Sequence, residues 1–286
     1  MTLKIGTRKS RLALKQTALA ADALREKFPE LQIETVEITT RGDKILDRPL
    51  DKIGGKGVFV GEIESALQSG VIDLAVHSAK DLPVDLGENL EISGVLPRGD
   101  HRDMLIAKNG VKFGHDDIFT VGTGSLRRRE NLKKIYPNAR FSDIRGNVDT
   151  RLRKLQNGEF DALILCTAGL ERLGVSLDEF SAQAFEHTEF LPAPCQGIIA
   201  AECVKGSAAA EKVKAVSDEN TMMCFETERE IIRLLGADCS TPIGAFSEIR
   251  GDRIYVTISA RDFKTVSGSA EISEKTRLIK ELIEKL

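Results

Sequence analysis

In Val121-Gly122-Thr123-Gly124-Ser125-Leu126-Arg127-Arg128-Arg129, a short run of small residues leads directly into three arginines. The segment follows the apolar run from Ile118 to Val121, and this order predicts a strand, a tight turn and the start of a helix. Such a turn exposes backbone N–H groups at a helix N-terminus, where the helix dipole favours negative charge. Arginine adds planar, bidentate recognition of carboxylate or phosphate. The segment therefore predicts an α/β unit with an anion-binding site.

The positive charge of this segment is a local feature, because the chain as a whole is slightly acidic. The chain has 286 residues, with 41 Lys and Arg against 44 Asp and Glu, and 41% of its residues are hydrophobic. These values are typical of globular proteins and exclude a disordered chain, and the length favours two or three domains. No apolar run approaches the roughly 18 to 20 residues of a membrane span, so no membrane partner is expected. The N-terminal sequence shows no secretory signal, which predicts a cytoplasmic protein.

Cysteine usage argues against both disulfides and metal. An odd number of cysteines without a Cys-x-x-Cys pair, and without histidines at zinc-ligand spacing, predicts reduced thiols and no metal site. The five cysteines are Cys166, Cys195, Cys203, Cys224 and Cys239.

Strand-like and helix-like segments alternate over the first 190 residues, which predicts an α/β fold. A strand near residues 3–6 precedes a helix that runs to about Phe28, and Leu19 is predicted to lie on the apolar face of that helix. A buried strand is expected over residues 71–76. A second unit repeats this plan from about Pro97, and a linker lies at residues 191–194. The remainder predicts a small α+β domain. Ligands are expected outside the carboxyl ends of the strands, in a cleft between two facing units.

Positive side chains fall at the predicted ends of several strands. A single lysine or arginine is usually a solvated surface charge. Here, however, several lie beside glycines that join a strand to a helix, as in Arg145-Gly146-Asn147, and a polyanionic ligand accounts for this placement better. The residues concerned are Arg8, Lys52, Lys56, Lys80, Arg127, Arg128, Arg145, Arg151 and Arg172.

Two further residues are candidates for chemistry. Asp81 follows Lys80 at the end of an apolar strand; it either caps a turn or stays ionised to stabilise a developing cation. Cys239 lies in a turn rich in Gly, Ser, Thr and Pro, but without an adjacent histidine it is a modest signal for a nucleophile. Asp238 beside it disfavours a ready thiolate, so a hydrolase is a poor interpretation.

Taken together, these segments resemble the porphobilinogen deaminase family over nearly the whole chain. The matching phrases occur in the same order and are specific. They are Gly6-Thr7-Arg8-Lys9-Ser10, Arg41-Gly42-Asp43, Gly54-Gly55-Lys56-Gly57, Val76-His77-Ser78-Ala79-Lys80-Asp81-Leu82-Pro83, Gly122 to Arg128, Arg145-Gly146-Asn147-Val148, Ala168 to Gly174 and the Cys239 to Gly244 turn.

The resemblance implies a transferase that joins four porphobilinogen molecules head to tail with loss of ammonia, then releases hydroxymethylbilane by hydrolysis in tetrapyrrole (haem) biosynthesis. It implies a dipyrromethane cofactor bound through a thioether to Cys239 and a catalytic carboxylate at Asp81. The residues implied to bind the cofactor are Lys80, Thr123, Ser125, Arg127, Arg128 and Arg145. Those implied to bind substrate are Arg8, Ser10, Lys52, Lys56, Arg151 and Arg172.

The same resemblance implies three domains: two hinged α/β domains similar to type II periplasmic binding proteins, and a small α+β C-terminal domain. The expected bounds are residues 1–96 with 195–215, residues 97–194, and residues 216–286. A monomer is expected. Two positions depart from the family, since many relatives have Gly-Gly at Ala237-Asp238 and glycine at Cys195. If the turn at Ala237-Asp238 needs a positive φ, Asp tolerates it less freely than glycine, which puts the geometry of the cofactor attachment in question. Cys195 adds a second thiol that is either oxidisable or a small side chain that fills space, and the latter is favoured.

Other function classes remain open on the residues alone. A non-catalytic anion-binding module fits the alternating pattern and the arginines, but predicts no role for Cys239. A nucleic-acid binder is less favoured, because aromatic residues make up only 5% and Trp is absent. A phosphate-dependent enzyme lacks a complete phosphate loop, since Gly54-Gly55-Lys56-Gly57 does not end in Lys-Ser or Lys-Thr.

Overall fold

A computed structural model describes residues 2–44, 60–237, 241–260 and 264–286, which form three β-sheets with flanking helices. By the density of its internal contacts, the chain divides into two units. Unit 1 comprises residues 1–99 and 198–239, and unit 2 comprises residues 100–197 and 240–286. The division into three domains at the bounds given above stays a prediction.

Unit 1 contains a five-stranded sheet in the order β2-β1-β3-β10-β4 within the described residues. Strands β1, β2 and β3 are parallel, whereas β10 is antiparallel to β3 and β4. The strands are β1 Thr2–Arg8, β2 Gln32–Ile38, β3 Leu74–Ser78, β4 Leu90–Val95 and β10 Ile199–Val204; the helices are α1 Arg11–Lys27, α2 Arg41–Lys44, α3 Gly61–Gln68, α7 Ala208–Lys214 and α8 Glu219–Leu234.

Unit 2 repeats this plan with a sheet in the order β7-β6-β8-β5-β9. Strands β6, β7 and β8 are parallel, and β5 is antiparallel to β8 and β9. The strands are β5 Asp103–Lys108, β6 Thr120–Gly122, β7 Arg140–Ser142, β8 Ala162–Cys166 and β9 Phe180–Ala184; the helices are α4 Leu126–Ile135, α5 Val148–Gln156 and α6 Thr167–Leu173.

The C-terminal part of the chain forms an antiparallel sheet with the helix α9. Its strands are β11 Gly244–Arg250, β12 Arg253–Ala260 and β13 Lys264–Glu271, and α9 spans Lys275–Glu284. Among the described residues, none of the helices combines the length and the apolar composition that a membrane-spanning segment requires. The predicted α/β class, with two sheet–helix units and a small C-terminal sheet, is confirmed.

Apolar side chains from both faces of each large sheet form the cores. In unit 1, Leu3 and Ile5 of β1 pack with Leu24 of α1 and are at most 1% exposed. In unit 2, Val121 and Ile164 are buried with Leu132 of α4. Burial of such side chains stabilises the fold by roughly 1.5 to 3 kcal/mol each. These cores hold the strand ends, and hence the loops that follow them, in fixed positions.

Two details of unit 1 differ from the sequence prediction. Strand β3 begins at Leu74 rather than Val71, because the N–H groups of Val71 and Ile72 donate to Ala66 O in the turn that ends α3. Leu19, which was predicted to lie on the apolar face of α1, is 45% exposed. The polar Gln16 is buried on that face because it hydrogen-bonds with Ser78.

Candidate functional site

The carboxyl ends of β1 and β3 lie at the same edge of the unit 1 sheet, because the two strands are parallel neighbours. Arg8 ends β1, and Ser78 ends β3. The amide of Gln16 donates to Ser78 Oγ at 2.8 Å, and Ser78 Oγ donates to Gln16 Oε1 at 3.1 Å. Helix α1 is thereby fixed to the end of β3. Two predicted site segments are brought to one edge.

Lys80 and Asp81 lie in a single 3₁₀ turn, Ala79–Asp81, that directly follows β3. Lys80 is half-buried and Asp81 is exposed. The turn is held by the N–H of Ala79, which donates to Ile198 O, and by the N–H of Leu82, which donates to Ala79 O. Within the described part of the chain, no group donates a hydrogen bond to the Asp81 carboxylate. The carboxylate is thus presented on a fixed backbone at the edge where Arg8 ends β1.

Ser10 begins α1 as its N-cap. Its Oγ accepts a hydrogen bond from the N–H of Ala13 at 3.2 Å, which satisfies one of the donors at the helix start. The hydroxyl proton remains available to donate to an acceptor, because a hydroxyl both donates and accepts. Ser10 therefore has a structural role that is compatible with the predicted contact to substrate.

In unit 2, the turn after β6 has the geometry that the sequence predicts. Ser125 is the N-cap of α4, and its Oγ accepts from the N–H of Arg128 at 3.4 Å. Thr123 is buried; its Oγ1 accepts from the N–H of Ser125 at 3.2 Å, while its carbonyl accepts from Arg129 Nη2 at 2.8 Å. The turn is therefore rigid, and it points the N-terminus of α4 out of the sheet edge.

Two arginines in the first turn of α4 share one buried carboxylate. Asp103, the first residue of β5, is fully buried. Its Oδ2 lies 2.9 Å from Arg127 Nη2, and its Oδ1 accepts from Arg128 Nη2 at 2.6 Å. Gln196 adds a third donor to Oδ1 at 3.1 Å. One carboxylate between two guanidiniums leaves an excess of one positive charge.

Arg127 is fixed further by the carbonyl of Leu191, which accepts from its Nη1 at 2.7 Å. Burial lowers the pKa of Arg127 because desolvation disfavours the charged form, although Asp103 opposes this shift. A buried guanidinium of this kind is preorganised.

A second turn, at residues 146–147, connects β7 to α5, and Arg151 lies in the first turns of that helix. Gly146 has φ of +112°, and a Cβ at this position would lie 2.7 Å from Thr150 Cγ2, so only glycine fits. Asn147 is the N-cap of α5 and accepts from the N–H of Thr150 at 2.9 Å. Arg151 Nε donates to Gly146 O at 2.8 Å. Arg145, half-buried, precedes this turn, and no described residue contacts its guanidinium with a hydrogen bond or ion pair.

Strand β8, the third of the parallel strands of the unit 2 sheet, leads into α6. Cys166 ends β8 and is the N-cap of α6, and Arg172 lies in the last turn of that helix. Arg172 Nη2 donates to Gly197 O at 2.6 Å. Burial lowers the pKa of Arg172, and the neighbouring Cys166 and Glu171 oppose the shift. Because β6, β7 and β8 are parallel, the turns after all three strands lie at one edge of the sheet.

The predicted site residues therefore fall into two groups. Unit 1 carries Arg8, Ser10, Lys80 and Asp81, and unit 2 carries Thr123, Ser125, Arg127, Arg128, Arg145, Arg151 and Arg172. Lys52, Lys56 and Cys239 lie outside the described residues. Within the described ranges, no cluster of His, Cys, Asp and Glu is arranged to hold a metal ion.

Sequence reasoning missed the residues that hold the arginines. Asp103 is 24 and 25 positions away from Arg127 and Arg128, and Gln196 is farther still. The signal that could have indicated Asp103 is an acidic residue at the start of a mainly apolar strand, because a buried carboxylate there requires a cationic partner. No local pattern identifies which cation that is.

The two positions that depart from the family pattern, Cys195 and Ala237-Asp238, differ in their backbone conformation as far as the structure describes them. Cys195 has φ of +61° and is buried, so this chain places a cysteine in the left-handed region that favours glycine. In the turn after α8, the left-handed residue is Gly236, with φ of +61°, whereas Ala237 is outside that region. Asp238 lies outside the described residues.

Two family models match the chain and together cover most of it. Residues 3–212 match "Porphobilinogen deaminase, dipyromethane cofactor binding domain", and residues 222–285 match "Porphobilinogen deaminase, C-terminal domain". The first match alone covers well over half of the chain and includes every described candidate residue.

Proteins named porphobilinogen deaminase are similar over nearly the full length. The Roseiflexus sp. (strain RS-1) protein is 43% identical over 271 residues, which cover 93% of this chain and 89% of the relative. The Roseiflexus castenholzii protein is 42% identical over 291 residues, which cover 100% of this chain and 95% of that relative. The Bordetella parapertussis protein is 44% identical over 254 residues, which cover 88% and 80%.

One solved structure that is similar to the chain is the crystal structure of the substrate binding protein of an amino acid ABC transporter. It is 15% identical with a TM-score of 0.40, and the alignment covers 82% of this chain and 95% of that one.

Proposed function

Because the chain belongs to the porphobilinogen deaminase family, we propose that it is a hydroxymethylbilane synthase. The enzyme is a transferase that joins four porphobilinogen molecules head to tail in tetrapyrrole biosynthesis. Four porphobilinogen molecules and one water give one hydroxymethylbilane and four ammonia. Each porphobilinogen carries an acetate and a propionate, so the growing product is a polyanion.

The arrangement of Arg127, Arg128 and Asp103 carries the assignment of an anion site. Two guanidiniums at a helix N-terminus, held by one buried carboxylate, provide fixed positive charge and further N–H donors. A dipyrromethane cofactor has four carboxylates, and planar guanidiniums bind such groups in a bidentate manner. The donor set of unit 2 therefore fits the cofactor, and we assign Thr123, Ser125, Arg127, Arg128 and Arg145 to it, together with Lys80 of unit 1.

When bound, the dipyrromethane supplies the pyrrole carbon to which the first substrate is joined. We assign its covalent attachment to the thiol of Cys239, through a thioether. We assign the carboxylates of incoming substrate to the remaining cations and hydroxyl group of the site, which are Arg8, Ser10, Lys52, Lys56, Arg151 and Arg172. Binding both side chains of each pyrrole orients the reacting carbon before the bond forms.

Asp81 acts on the cation that porphobilinogen becomes when ammonia leaves. The C–N bond of the aminomethyl group breaks and its nitrogen leaves as ammonia, while the methylene carbon stays on the pyrrole and shares its positive charge with the pyrrole nitrogen. An exposed carboxylate on a fixed turn stabilises that charge and accepts a hydrogen bond from the pyrrole N–H. In the described residues no partner neutralises Asp81, so its negative charge is available to the substrate.

We further infer a cytoplasmic monomer. In the described part of the chain, Cys166 and Cys203 are free thiols, which is typical of a reducing compartment. The large apolar side chains exposed there, such as Leu19, Val71 and Ile118, are scattered along the chain, which favours a monomer. Sedimentation at several concentrations tests the oligomeric state.

The direct test of the function is the stoichiometry of turnover. Purified protein incubated with porphobilinogen should release four molecules of ammonia for each hydroxymethylbilane, measured by an ammonia assay and by mass spectrometry of the product. Porphobilinogen that is bound and recovered unchanged would instead support a non-catalytic anion-binding module.

A further inference from the structure

Arg229 of α8 holds the segment that follows the Asp81 turn. Its Nη1 donates to Leu82 O at 3.2 Å, and its Nη2 donates to Pro83 O at 2.5 Å and Val84 O at 2.6 Å. The side chain belongs to unit 1, as does the segment, and Arg229 is only 8% exposed. A buried guanidinium thus contacts three successive carbonyls.

This contact is specific to arginine. The three carbonyls belong to the residues that directly follow the 3₁₀ turn, and each one is a hydrogen-bond acceptor. A planar guanidinium reaches several acceptors at once in fixed directions, which a lysine ammonium does not. The ring of Phe225, one turn earlier in α8, lies 5.7 Å from the guanidinium carbon and limits its movement.

The helix that carries Arg229 is itself fixed. The neighbouring residue, Glu228, is fully buried and accepts from Arg98 Nη1 at 2.7 Å and Nη2 at 3.2 Å. Thr221, near the start of α8, accepts from the N–H of Arg98 at 3.2 Å. Because α8 is held in place in this way, the hydrogen bonds of Arg229 also hold residues 82–84 in place.

Asp81 lies between this anchor and a second one. On its N-terminal side, the N–H of Ala79 donates to Ile198 O. On its C-terminal side, Leu82 begins the segment that Arg229 holds. Since no described residue hydrogen-bonds with the Asp81 carboxylate, its direction depends on the backbone between these two anchors.

We propose that Arg229 is a positioning residue for the reaction, which aims the Asp81 carboxylate at the substrate by clamping the carbonyls of residues 82–84. The inference rests on the proposed function, in which Asp81 stabilises the substrate cation. Helix α8 ends at Leu234, five residues before Cys239 in the sequence. The same helix thus leads to the cofactor attachment point and holds the catalytic turn.

The test is a double-mutant cycle between Arg229→Lys and Asp81→Asn, with Arg233→Lys as the matched control. Arg233 is exposed and lies one turn further along α8. The measurements are kcat, KM, the intact mass that reports the bound cofactor, and the single-turnover rate at which the first enzyme–substrate adduct appears.

Arg229→Lys should keep the fold and the cofactor, lower kcat by about 10- to 100-fold through misplacement of the carboxylate, and leave KM nearly unchanged. In the Asp81→Asn background the same substitution should have less than about a twofold effect, because the group it positions is already disabled. Arg233→Lys should match the wild type.

The inference would be overturned if Arg229→Lys lowered kcat by the same factor in the wild type and in Asp81→Asn. It would also be overturned if a folded Arg229→Lys kept the wild-type kcat. If Arg229→Lys does not fold, Phe225→Leu takes its place in the cycle, with a smaller loss of kcat expected and the same criterion. A wild type that forms no product would overturn the proposed function and this inference with it. An active wild type that is sensitive to Asp81→Asn but not to Arg229→Lys would overturn the inference alone.

Discussion

Arg128 donates two hydrogen bonds to a single oxygen of Asp103, from Nε at 3.0 Å and from Nη2 at 2.6 Å. The other oxygen of Asp103 lies against Arg127, and the carboxylate is removed from solvent. The acidic residue that pairs with both arginines is therefore deep in the core. The positive groups it supports lie in the first turn of α4.

Asp103→Asn should destabilise the protein strongly. The variant leaves two buried guanidiniums without a charge partner, and removing one member of a buried ion pair costs about 3–5 kcal/mol. Urea unfolding at neutral pH measures the loss. Asp143→Asn is the control, because Asp143 pairs with Arg129 at 2.5 Å but is 67% exposed in its side chain, so a loss below about 1 kcal/mol is expected. Equal losses in the two variants would contradict this view of Asp103.

Asp81→Asn should fold and keep the cofactor yet lose most turnover. The side chain is exposed and no described residue hydrogen-bonds with it, so its stability should change by less than about 0.5 kcal/mol. Turnover should fall because the charge directed at the cationic substrate is gone. Steady-state kinetics and thermal unfolding measure the two effects, with the exposed Glu88→Gln as the control. Near-normal turnover would exclude Asp81 from the reaction.

Arg145→Leu should impair cofactor assembly or chain elongation. Arg145 precedes the glycine turn that begins α5, and no described residue uses its guanidinium, so its loss removes a ligand contact rather than a structural one. Mass spectrometry of the enzyme during turnover should show less cofactor or a shortened series of bound intermediates. Arg153→Leu, an exposed change on α5, should leave the series intact. An unchanged series in Arg145→Leu would remove Arg145 from the site.

The free energy of unfolding of Glu64→Gln, relative to the wild type, should increase as the pH rises. Burial raises the pKa of Glu64 above its ordinary value of 4.5, and this effect exceeds the lowering by the Gly87 N–H that donates to its carboxylate. The folded state therefore holds the proton more tightly than the unfolded chain, and stability is lost as the pH rises through 4.5 and the higher folded pKa. Glutamine does not titrate and avoids this loss.

The measurement is urea unfolding at several pH values between about 4 and 7, with the exposed Glu30→Gln as the control. The difference between Glu64→Gln and wild type should grow with pH and level off above the folded pKa. A difference that grows as the pH falls would mean that the pKa of Glu64 is lowered by folding.

Features set by neighbouring residues could be predicted from the sequence. Ser125 and Asn147 cap helices because a polar side chain next to a helix start satisfies the first N–H groups, and Gly146 takes the positive φ that its turn requires. The alternation of strands and helices, and the placement of arginines after strand ends, follow from the same local patterns.

Features set by distant residues could not be predicted. Asp103 meets Arg127 and Arg128 only because β5 and α4 pack together in unit 2. Leu19 is exposed although it matches the helical period, because the buried face of α1 includes Gln16, which hydrogen-bonds to the end of β3. The partner of a buried polar group depends on the tertiary structure, which periodicity does not report.

The central claim is that this chain carries a dipyrromethane attached to Cys239. The most direct test is the intact mass of the denatured, purified protein, compared with Cys239→Ser. A mass excess equal to two linked pyrroles in the wild type and its absence from the variant are the predicted result. A wild-type chain that keeps its bare mass, even after incubation with porphobilinogen or preformed hydroxymethylbilane, would contradict the account.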